Sequence, residues 1–336
     1  MDSLLLVLGL ILLAVVGYDF FRTTLSGSGA GFLTRFFLTL SHKFQLSLSR
    51  IFGRKVFRLS GMLVNLTVLA AWILLIWLGL FLVFSYRPEG IVNSDGRVAT
   101  AVERLYFTGY VLSTLGIGNF TPTTPLFEVL VSLFSFFGFI FFSTSMTYLI
   151  SVSSAVMHKR ALALSIQTIG ENPAKVVKGL LEPDSSFSHQ QITALQQMLD
   201  RHNVNHQAYP VLHYYNSPDI SSALSVNLAV LDEATSILLH SRDQPLYQEL
   251  QSLRHSLDQF LRHIREKFRH QSDVDNPDIN WSEVDLPVGL LPSEVGEDPQ
   301  LTERRKILGE LLYSEALSWS DVYPKSALNA AKQPAS

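Results

Sequence analysis

Residues 98–125 of the chain read VATAVERLYFTGYVLSTLGIGNFTPTTP and separate two long apolar runs. The segment is too polar to cross a bilayer and too apolar for a loop that is exposed to water. Irregular backbone occurs at membrane depth where protein shelters it, so we interpret this segment as a re-entrant loop. Residues 98–113 have helical character, and residues 114–119, TLGIGN, follow them directly. The candidate packing positions of this helix are Val102, Leu105, Tyr106, Tyr110 and Leu112.

The runs on either side of this loop are long enough to cross a membrane. Residues 61–86 contain no charged side chain, and at ~1.5 Å per residue such a stretch crosses a ~30 Å hydrocarbon layer with some tilt. Residues 126–157 carry one acid near their start, Glu128, and no further charged side chain precedes His158. Because this second run is longer than the bilayer is thick, we expect it to project into the cytoplasm or the solvent.

A shorter apolar run lies near the N-terminus, at residues 4–18. Its length suits the core of a signal peptide, but Asp2 precedes it and no Lys or Arg does, which is the wrong flank for a secretory signal. We therefore expect residues 1–21 to form a retained transmembrane helix. A cleaved signal and an interfacial segment remain the alternatives.

The connection between the first two spans, residues 22–60, contains no acid and is strongly basic. Its bases are Arg22, Arg35, Lys43, Arg50, Arg54, Lys55 and Arg58. The positive-inside tendency places such a connection in the cytoplasm, so the N-terminus lies outside and the C-terminus inside. Apolar residues recur between the bases at steps of three and four, which predicts an amphipathic helix on the inner membrane surface. A helix packed on the cytoplasmic domain is the alternative.

The composition agrees with a membrane protein. Of 336 residues, 47% are hydrophobic and 16% are charged, with a mean hydropathy of +0.22, against roughly 25% charged residues in ordinary soluble domains. The absence of cysteine excludes disulfide scaffolds, thiolate metal sites and cysteine nucleophiles. A net charge of −3 gives no indication of a nucleic-acid partner. Because the sequence has no nucleophile elbow, no His-Glu metal helix and no phosphate loop, an enzyme is not expected.

The order of a pore helix, TLGIGN and FTP between two spans resembles the pore module of potassium channels, whose selectivity filter reads T-x-G-x-G. The resemblance covers about residues 61–157, with an outer helix at 61–86, a pore helix at 98–113, the filter segment at 114–119 and an inner helix at 126–157. Thr114, Gly116 and Gly118 match the filter motif, Leu115 fills a variable position, and Asn119 closes the segment.

This resemblance implies a homotetramer that conducts K⁺ as the permeant ion and needs no cofactor. The backbone carbonyls of Thr114, Leu115, Gly116 and Ile117 would bind K⁺, together with the Thr114 hydroxyl, because rings of oxygen must replace the hydration shell of the ion. Glycine suits this task because it tolerates backbone angles that are closed to other residues.

The filter segment departs from the commonest family pattern at two positions. Ile117 stands where an aromatic residue is commonest, and Asn119 stands where aspartate is commonest. Isoleucine cannot make the hydroxyl hydrogen bonds with which a tyrosine braces the filter. A weakly selective monovalent-cation channel is therefore one alternative, and a non-conducting membrane-anchored signalling or scaffold protein is another.

Two features of the last span bear on gating. Small hydroxyl side chains recur at helical spacing, and Ser143, Thr147 and Ser151 are the predicted lining of the cavity below the filter. Hydroxyls that bond back to their own helix or join helices together are the alternative. Gly138 matches the hinge glycine of the inner helix in the family that the module resembles, and close packing against the pore helix is its alternative.

Residues 158–319 are expected to form an α-helical cytoplasmic regulatory domain, followed by a disordered tail at 320–336. The pattern predicts a linker at 182–188 and an acidic loop at 272–300. Helices are predicted at 189–201, 220–240, 244–270 and 301–319. The leucine-rich seam of 244–270 suits a four-chain coiled coil below the pore or a helix of a compact domain.

Nine of the ten histidines lie in this cytoplasmic part. His202 and His206 are at helical spacing, with His213 close by, and form a candidate regulatory site that would bind a metal or sense pH. The ligand of the domain is not defined by the sequence. A nucleotide-binding domain of the Rossmann type is not supported.

The sequence therefore predicts an all-α membrane protein with three transmembrane helices, a re-entrant pore helix and selectivity filter, and an α-helical cytoplasmic domain. Its expected function is that of a homotetrameric potassium-selective channel gated by the inner helix and the cytoplasmic domain. It is expected in the plasma or inner membrane, in contact with lipid.

Overall fold

The computed structural model describes residues 2–27, 29–181, 185–240, 246–268, 276–287 and 299–329, and these are mostly helical. The helices are α1 (Asp2–Leu25), α2 (Phe32–Phe52), α3 (Ser60–Phe84), α4 (Ala101–Leu112), α5 (Pro125–Ile169), α6 (Pro173–Leu181), α7 (Ser185–Ala208), α8 (Leu224–His240), α9 (Tyr247–Lys267) and α10 (Pro299–Ser314). The chain divides into a first unit of residues 1–42, 62–153 and 208–211, and a second unit of residues 43–61, 154–207 and 212–336.

Three stretches of the described chain are long and apolar enough to cross a membrane. They are Ser3–Leu25, Arg54–Phe84 and Pro125–Ile169, so the predicted all-α membrane architecture with three spans is confirmed. The last helix continues twelve residues past the predicted end at Met157, to Ile169. The charges that begin at His158 end the apolar run, but they do not interrupt the helix, which ends just before Gly170.

In the first unit, an aromatic cluster joins the outer, pore and inner helices. Phe84 of α3 lies 5.3 Å, between ring centroids, from both Phe107 of α4 and Phe127 of α5, with edge-to-face geometry. All three rings are fully buried. The pore helix α4 begins at Ala101, three residues later than predicted, because Thr100 and Glu103 form a capping box.

A short two-stranded antiparallel sheet brackets the pore helix. Strand β1 (Ile91–Asn93) follows the outer helix, and strand β2 (Phe120–Pro122) follows the filter segment. The register pairs Ile91 with Pro122 and Asn93 with Phe120. The sheet therefore fixes the outer end of the filter segment to the chain that leaves α3.

A buried carboxylate joins helices α1, α2 and α3. Asp19 of α1 is fully buried and accepts hydrogen bonds from Leu33 N at 2.8 Å, from Thr34 N and Oγ1, and from Trp72 Nε1 at 3.0 Å. It serves as the N-cap of α2 from a neighbouring helix. Four donors meet the charge, which satisfies the requirement that an ionisable group within a membrane be paired.

Helix α2 exposes its apolar face and buries a polar one. Phe36, Phe44 and Ile51 are 61%, 67% and 75% exposed. The opposite face contains the buried His42 and Gln45. A helix packed on a soluble domain would bury the apolar face instead. The placement of α2 on the inner membrane surface stays a prediction.

The second unit has one large hydrophobic core, to which α5, α6, α7, α8, α9 and α10 contribute. The seam of α9 is buried in that core through Leu250, Leu253, Leu257, Phe260 and Ile264. Of the two interpretations of the 244–270 pattern, the structure shows the helix of a compact domain. The helix itself covers Tyr247–Lys267, and residues 241–245, 269 and 270 lie outside the described residues.

Buried charges join α8 to α10 in this core. Glu233 accepts two hydrogen bonds from Arg305, at 2.8 and 2.7 Å, and one from the Tyr323 hydroxyl at 2.6 Å. Its neighbour Asp232 is fully buried and pairs with Arg254 and Arg304. Because each carboxylate is matched by guanidinium groups in a fixed fork, removing one partner would leave a buried charge uncompensated.

Several predicted boundaries of the cytoplasmic part differ from the structure. The tail was expected to be disordered from residue 320, but residues 320–329 are ordered, because Val322 and Tyr323 bury their side chains in the core and Leu328 forms a bridge with Ile279. Residues 330–336 lie outside the described residues.

The predicted helices also shift. Helix α7 begins at Ser185, inside the predicted linker 182–188, and extends to Ala208. Helix α8 begins at Leu224, after a short helical turn, and α10 ends at Ser314 rather than at 319. Of the predicted loop 272–300, residues 276–287 are described and contain the turn Trp281–Glu283. Residues 182–184, 272–275 and 288–298 lie outside the described residues.

Candidate functional site

The end of the pore helix leads directly into the filter segment. After α4 ends at Leu112, the amide of Thr114 donates to Val111 O at 3.2 Å, and the amide of Leu115 donates to Tyr110 O at 3.0 Å. These bonds use carbonyls that have no intrahelical partner at a helix C-terminus. They fix the direction in which the chain leaves the helix.

The backbone of the filter segment alternates in handedness. Thr114, Gly116 and Gly118 have φ values of 58°, 57° and 82°, whereas Leu115 and Ile117 between them do not have positive φ. Glycine adopts such angles without a steric penalty. For Thr114, a β-branched residue, a positive φ is a true outlier and a sign of local strain.

The predicted filter segment, residues 114–119, lies on the surface of the chain. All six of its residues, 114–119, are exposed, and the side chains of Leu115 and Ile117 are 66% and 49% exposed. A Cβ atom added at Gly116 or Gly118 would meet no atom within 4 Å. Seven consecutive residues, 113–119, are therefore exposed between buried Leu112 and buried Phe120.

Two hydrogen bonds brace the pore helix and the outer end of the filter segment. The Tyr110 hydroxyl donates to Phe120 O at 2.7 Å, across the whole segment. Trp77 of α3 donates from Nε1 to Leu105 O at 2.9 Å. The sequence identified Tyr110 as a packing residue, and it is buried. Its bracing hydroxyl was missed, although a tyrosine on an otherwise apolar helix is a usable signal, because a buried hydroxyl needs a partner.

The other packing positions predicted for α4 differ in their burial. Leu112 is buried like Tyr110, but Val102 is 77% exposed, and Leu105 and Tyr106 are also exposed.

Comparison with known proteins identifies the family. A family model described as an ion channel matches residues 67–154, which cover most of α3, the pore helix, the filter segment and the first part of α5. Over 330 residues the chain is 30% identical to the uncharacterized membrane protein YdjJ of Bacillus subtilis (strain 168), a match that covers 94% of each protein. The chain belongs to this ion channel family. No solved structure matches the channel significantly.

In the channel, Gly138 packs against the end of the pore helix. A Cβ atom at this position would overlap the carbonyl oxygen of Leu112 and lie 3.0 Å from its carbonyl carbon. Helix α5 runs through Gly138 without interruption. Close packing, the alternative left open by the sequence, is therefore present in this structure, and a hinge at Gly138 stays a prediction.

The hydroxyl side chains of the inner helix are partly accessible. Ser143 and Thr147 are exposed, and Ser151 is half-buried. Thr147 donates back to Ser143 O at 3.1 Å, and Ser151 donates back to Thr147 O at 3.0 Å. Back-bonding of this kind leaves the hydroxyl oxygen free to accept, so it is compatible with lining a water-filled cavity.

His202 and His206 lie in the second unit of the channel, on α7, and both are buried. Among the described residues there is no group of three or more His, Asp or Glu side chains that could hold a metal ion. The geometry therefore gives no support to the metal-binding form of the regulatory prediction.

Proposed function

We propose that the protein is a homotetrameric potassium-selective channel in which four filter segments surround one axis. The observation that supports this most directly is the alternation of positive φ at Thr114, Gly116 and Gly118 along an exposed segment. Such alternation allows successive carbonyls to face the same side of the chain. Carbonyls of Thr114, Leu115, Gly116 and Ile117 would then replace the water shell of K⁺.

The strain at Thr114 supports a functional role for this conformation. A β-branched residue with a φ of 58° is disfavoured by the contact of its Cβ with the backbone. Strain of this kind persists where the surroundings fix it, and it concentrates at functional sites. In the proposed filter, the same conformation places both the carbonyl and the hydroxyl of Thr114 at the inner end.

The bracing of the filter segment favours potassium over the weakly selective alternative. Ile117 cannot donate a hydrogen bond, so it cannot brace the filter as a tyrosine could. The hydroxyl of Tyr110 on the pore helix instead holds Phe120 O at 2.7 Å, directly after Asn119. A filter held at its outer end keeps its carbonyl spacing, and the size of the carbonyl cage is one of the two explanations offered for K⁺ selectivity.

The remaining parts of the channel follow the same proposal. Ser143, Thr147 and Ser151 line the cavity below the filter, and the inner helix gates it under the control of the second unit. Helix α2 lies on the inner surface of the plasma membrane with Phe36 and Phe44 among the acyl chains. The N-terminus is outside and the C-terminus is cytoplasmic.

A flux measurement with a matched pair of glycine variants tests the proposal. Purified protein in K⁺-loaded vesicles should release K⁺, and Gly118→Ala should reduce the release to that of protein-free vesicles. Gly96→Ala is the control, because Gly96 also has a positive φ, 80°, and open space around its Cβ, but lies in the turn after β1. It carries the same backbone penalty outside the filter segment, so flux should persist.

Three results would count against the proposal. Flux that survives Gly118→Ala would remove the filter assignment, and a particle without fourfold symmetry would remove the tetramer. A bi-ionic reversal potential near zero for K⁺ against Na⁺ would select the weakly selective channel. Absence of flux from the folded wild-type protein would favour the membrane-anchored signalling or scaffold alternative.

A further inference from the structure

Four histidines gather in the second unit around His206. Its ring centroid lies 5.7 Å from that of His202, 5.7 Å from that of His213 and 5.3 Å from that of His263. We call these four residues the histidine cluster. Two of them are on α7, one is on the turn Pro210–Tyr214 that follows it, and one is on α9.

The histidine cluster is packed into an apolar environment. His202 and His206 are 1% and 2% exposed, and each has its ring centroid within 5.6 Å of the Phe260 ring. Phe268 stacks on His213 at 4.1 Å. Imidazole is accommodated in such a site in its neutral form, because burial penalises the charged form.

Burial lowers the pKa values of three members of the cluster, His202, His206 and His263. Desolvation, with a smaller contribution from the positive charge of Lys159, lowers the pKa of His202 to about 3. Desolvation also holds the pKa of His206 well below its ordinary value, and neighbouring histidines add to the effect. The pKa of His263 is lowered by partial burial and by Lys267, and Glu266 opposes this.

The charged group that faces the cluster from α5 is Lys159. Its ammonium donates to Leu212 O at 3.1 Å and to Tyr215 O at 2.8 Å, and it lies 3.9 Å from the carboxylate of Glu315 just beyond α10. Glu315 also accepts a hydrogen bond from Ser225 of α8 at 2.9 Å. The inner helix of the channel is thus held at its cytoplasmic extension by chain segments that also enclose the histidines.

A small cavity is lined both by three members of the histidine cluster and by the pair of Lys159 and Glu315. It measures about 10 Å³ and is lined by His202, His206 and His213 together with Lys159 and Glu315. Within the described part of the chain, no hydrogen-bond partner reaches Nδ1 of His202 or of His206. These nitrogens are therefore available to take up a proton once the packing around them opens.

We propose that the histidine cluster is a proton-binding site through which cytoplasmic acid acts on the inner helix, by way of Lys159. This rests on the proposed channel function. A proton on His202 or His206 adds a second positive charge to a buried site in which Glu315 already faces the Lys159 ammonium. The added repulsion and desolvation cost favour a state in which residues 212–215 release Lys159, and α5 then loses its attachment.

The sign and size of the effect follow from linkage. The packed state holds these histidines with lowered pKa values, whereas in the released state they return to about 6.5. The packed state is therefore fully favoured above pH 6.5, and its advantage is lost as the pH falls below that value. Between pH 7.5 and 5.5 each such histidine shifts the equilibrium towards release by about tenfold.

Single-channel recording in planar bilayers tests the proposal with the full chain. Lowering the pH from 7.5 to 5.5 on the side of the C-terminus should change the open-to-closed ratio by about tenfold or more, and acid on the other side should not. His206→Gln removes one titrating ring and His206→Phe keeps an aromatic ring between Phe260 and Phe268, and both should reduce the change by the contribution of one histidine, about tenfold. The control His255→Gln removes an exposed histidine of α9 and should leave the response intact.

Thermal unfolding of the purified protein separates this inference from the proposed function. The wild-type melting temperature should fall as the pH drops from 7.5 to 5.5, and both His206 variants should reduce that fall. Lys159→Gln should keep the acid-dependent fall in melting temperature while losing the acid response of the current. A channel that conducts without any pH response, or a melting curve that His206→Gln leaves equally acid-sensitive, overturns the proton site. Absence of current overturns the proposed function, and the melting arm still decides whether the site exists.

Discussion

Replacing Gly138 by alanine distinguishes close packing from a hinge. The new methyl group would overlap the carbonyl oxygen of Leu112 and lie 3.0 Å from its carbonyl carbon and 3.4 Å from its Cα. These are backbone atoms at the end of the pore helix, so no side chain can rotate to make room. Either α4 or α5 must shift, and the filter segment begins two residues after Leu112.

The magnitude follows from two opposing terms. Overpacking against a rigid neighbour costs up to about 3 kcal/mol, whereas alanine improves helix propensity over glycine by about 1 kcal/mol. The net loss is therefore about 2 kcal/mol, which corresponds to a fall in melting temperature of about 3 °C for a chain of 336 residues. We expect K⁺ flux to fall as well, because a displaced pore helix misplaces the filter segment.

The assay is thermal unfolding of the purified channel in detergent, with flux measured in vesicles. Gly17→Ala is the matched control, because Gly17 lies in the membrane helix α1 and a Cβ there meets nothing within 4 Å. It receives the propensity gain without the overlap, so its melting temperature should stay level or rise. If Gly138→Ala also stays level or rises while channel opening declines, the packing argument is refuted and a hinge accounts for the glycine.

Two further variants test the polar contacts of the first unit. Tyr110→Phe removes the hydroxyl that donates to Phe120 O at 2.7 Å. We expect the free energy of unfolding to fall by about 1 kcal/mol and the K⁺/Na⁺ reversal potential to move closer to zero. An unchanged reversal potential would show that this hydrogen bond does not brace the filter. Asp19→Asn places an amide donor among the groups that donate to the carboxylate, including Trp72 Nε1 and both Thr34 donors. Asp19→Asn should lower the free energy of unfolding by about 1–3 kcal/mol, measured by thermal unfolding. The control Trp72→Phe removes only one donor and should lower it less. Equal losses for the two variants would mean that the charge of Asp19 is unimportant.

The membrane part was predictable because its signals are local in sequence. An uncharged stretch such as 61–86 specifies a span by itself, and the glycines at 116 and 118 indicate a backbone that other residues resist. The start of α4 could also have been predicted, because Thr100 and Glu103 have the spacing of a capping box. The prediction placed the helix start at Val98 because it did not use this signal.

The braces of the pore were not predictable, because each depends on where two distant groups meet. Tyr110 and Phe120 are joined only when the chain between them turns back after Leu112, and a hydropathy pattern carries no information on that turn. The same holds for Asp19, which caps a helix that begins thirteen residues later. A lone acid in an apolar helix signals that a partner exists without saying which one.

The order of the C-terminal segment was missed for a related reason. Its local composition is polar and contains proline, which is typical of a disordered tail. What orders it is the burial of Tyr323, whose hydroxyl meets Glu233 across ninety positions of sequence. Buried charge partners separated by such distances leave no periodic pattern, so sequence alone does not reveal that the tail completes the core.

The filter segment's place on the outside of each protomer has a genetic consequence. If four copies assemble as proposed, each subunit contributes one of the four filter segments that line the shared pore. A single subunit therefore does not form a complete pore. A cell that makes both intact and defective subunits would then form mostly mixed tetramers. One defective filter segment would be enough to block conduction through such a tetramer. Loss-of-function alleles at Gly116 or Gly118 should accordingly behave as dominant rather than recessive.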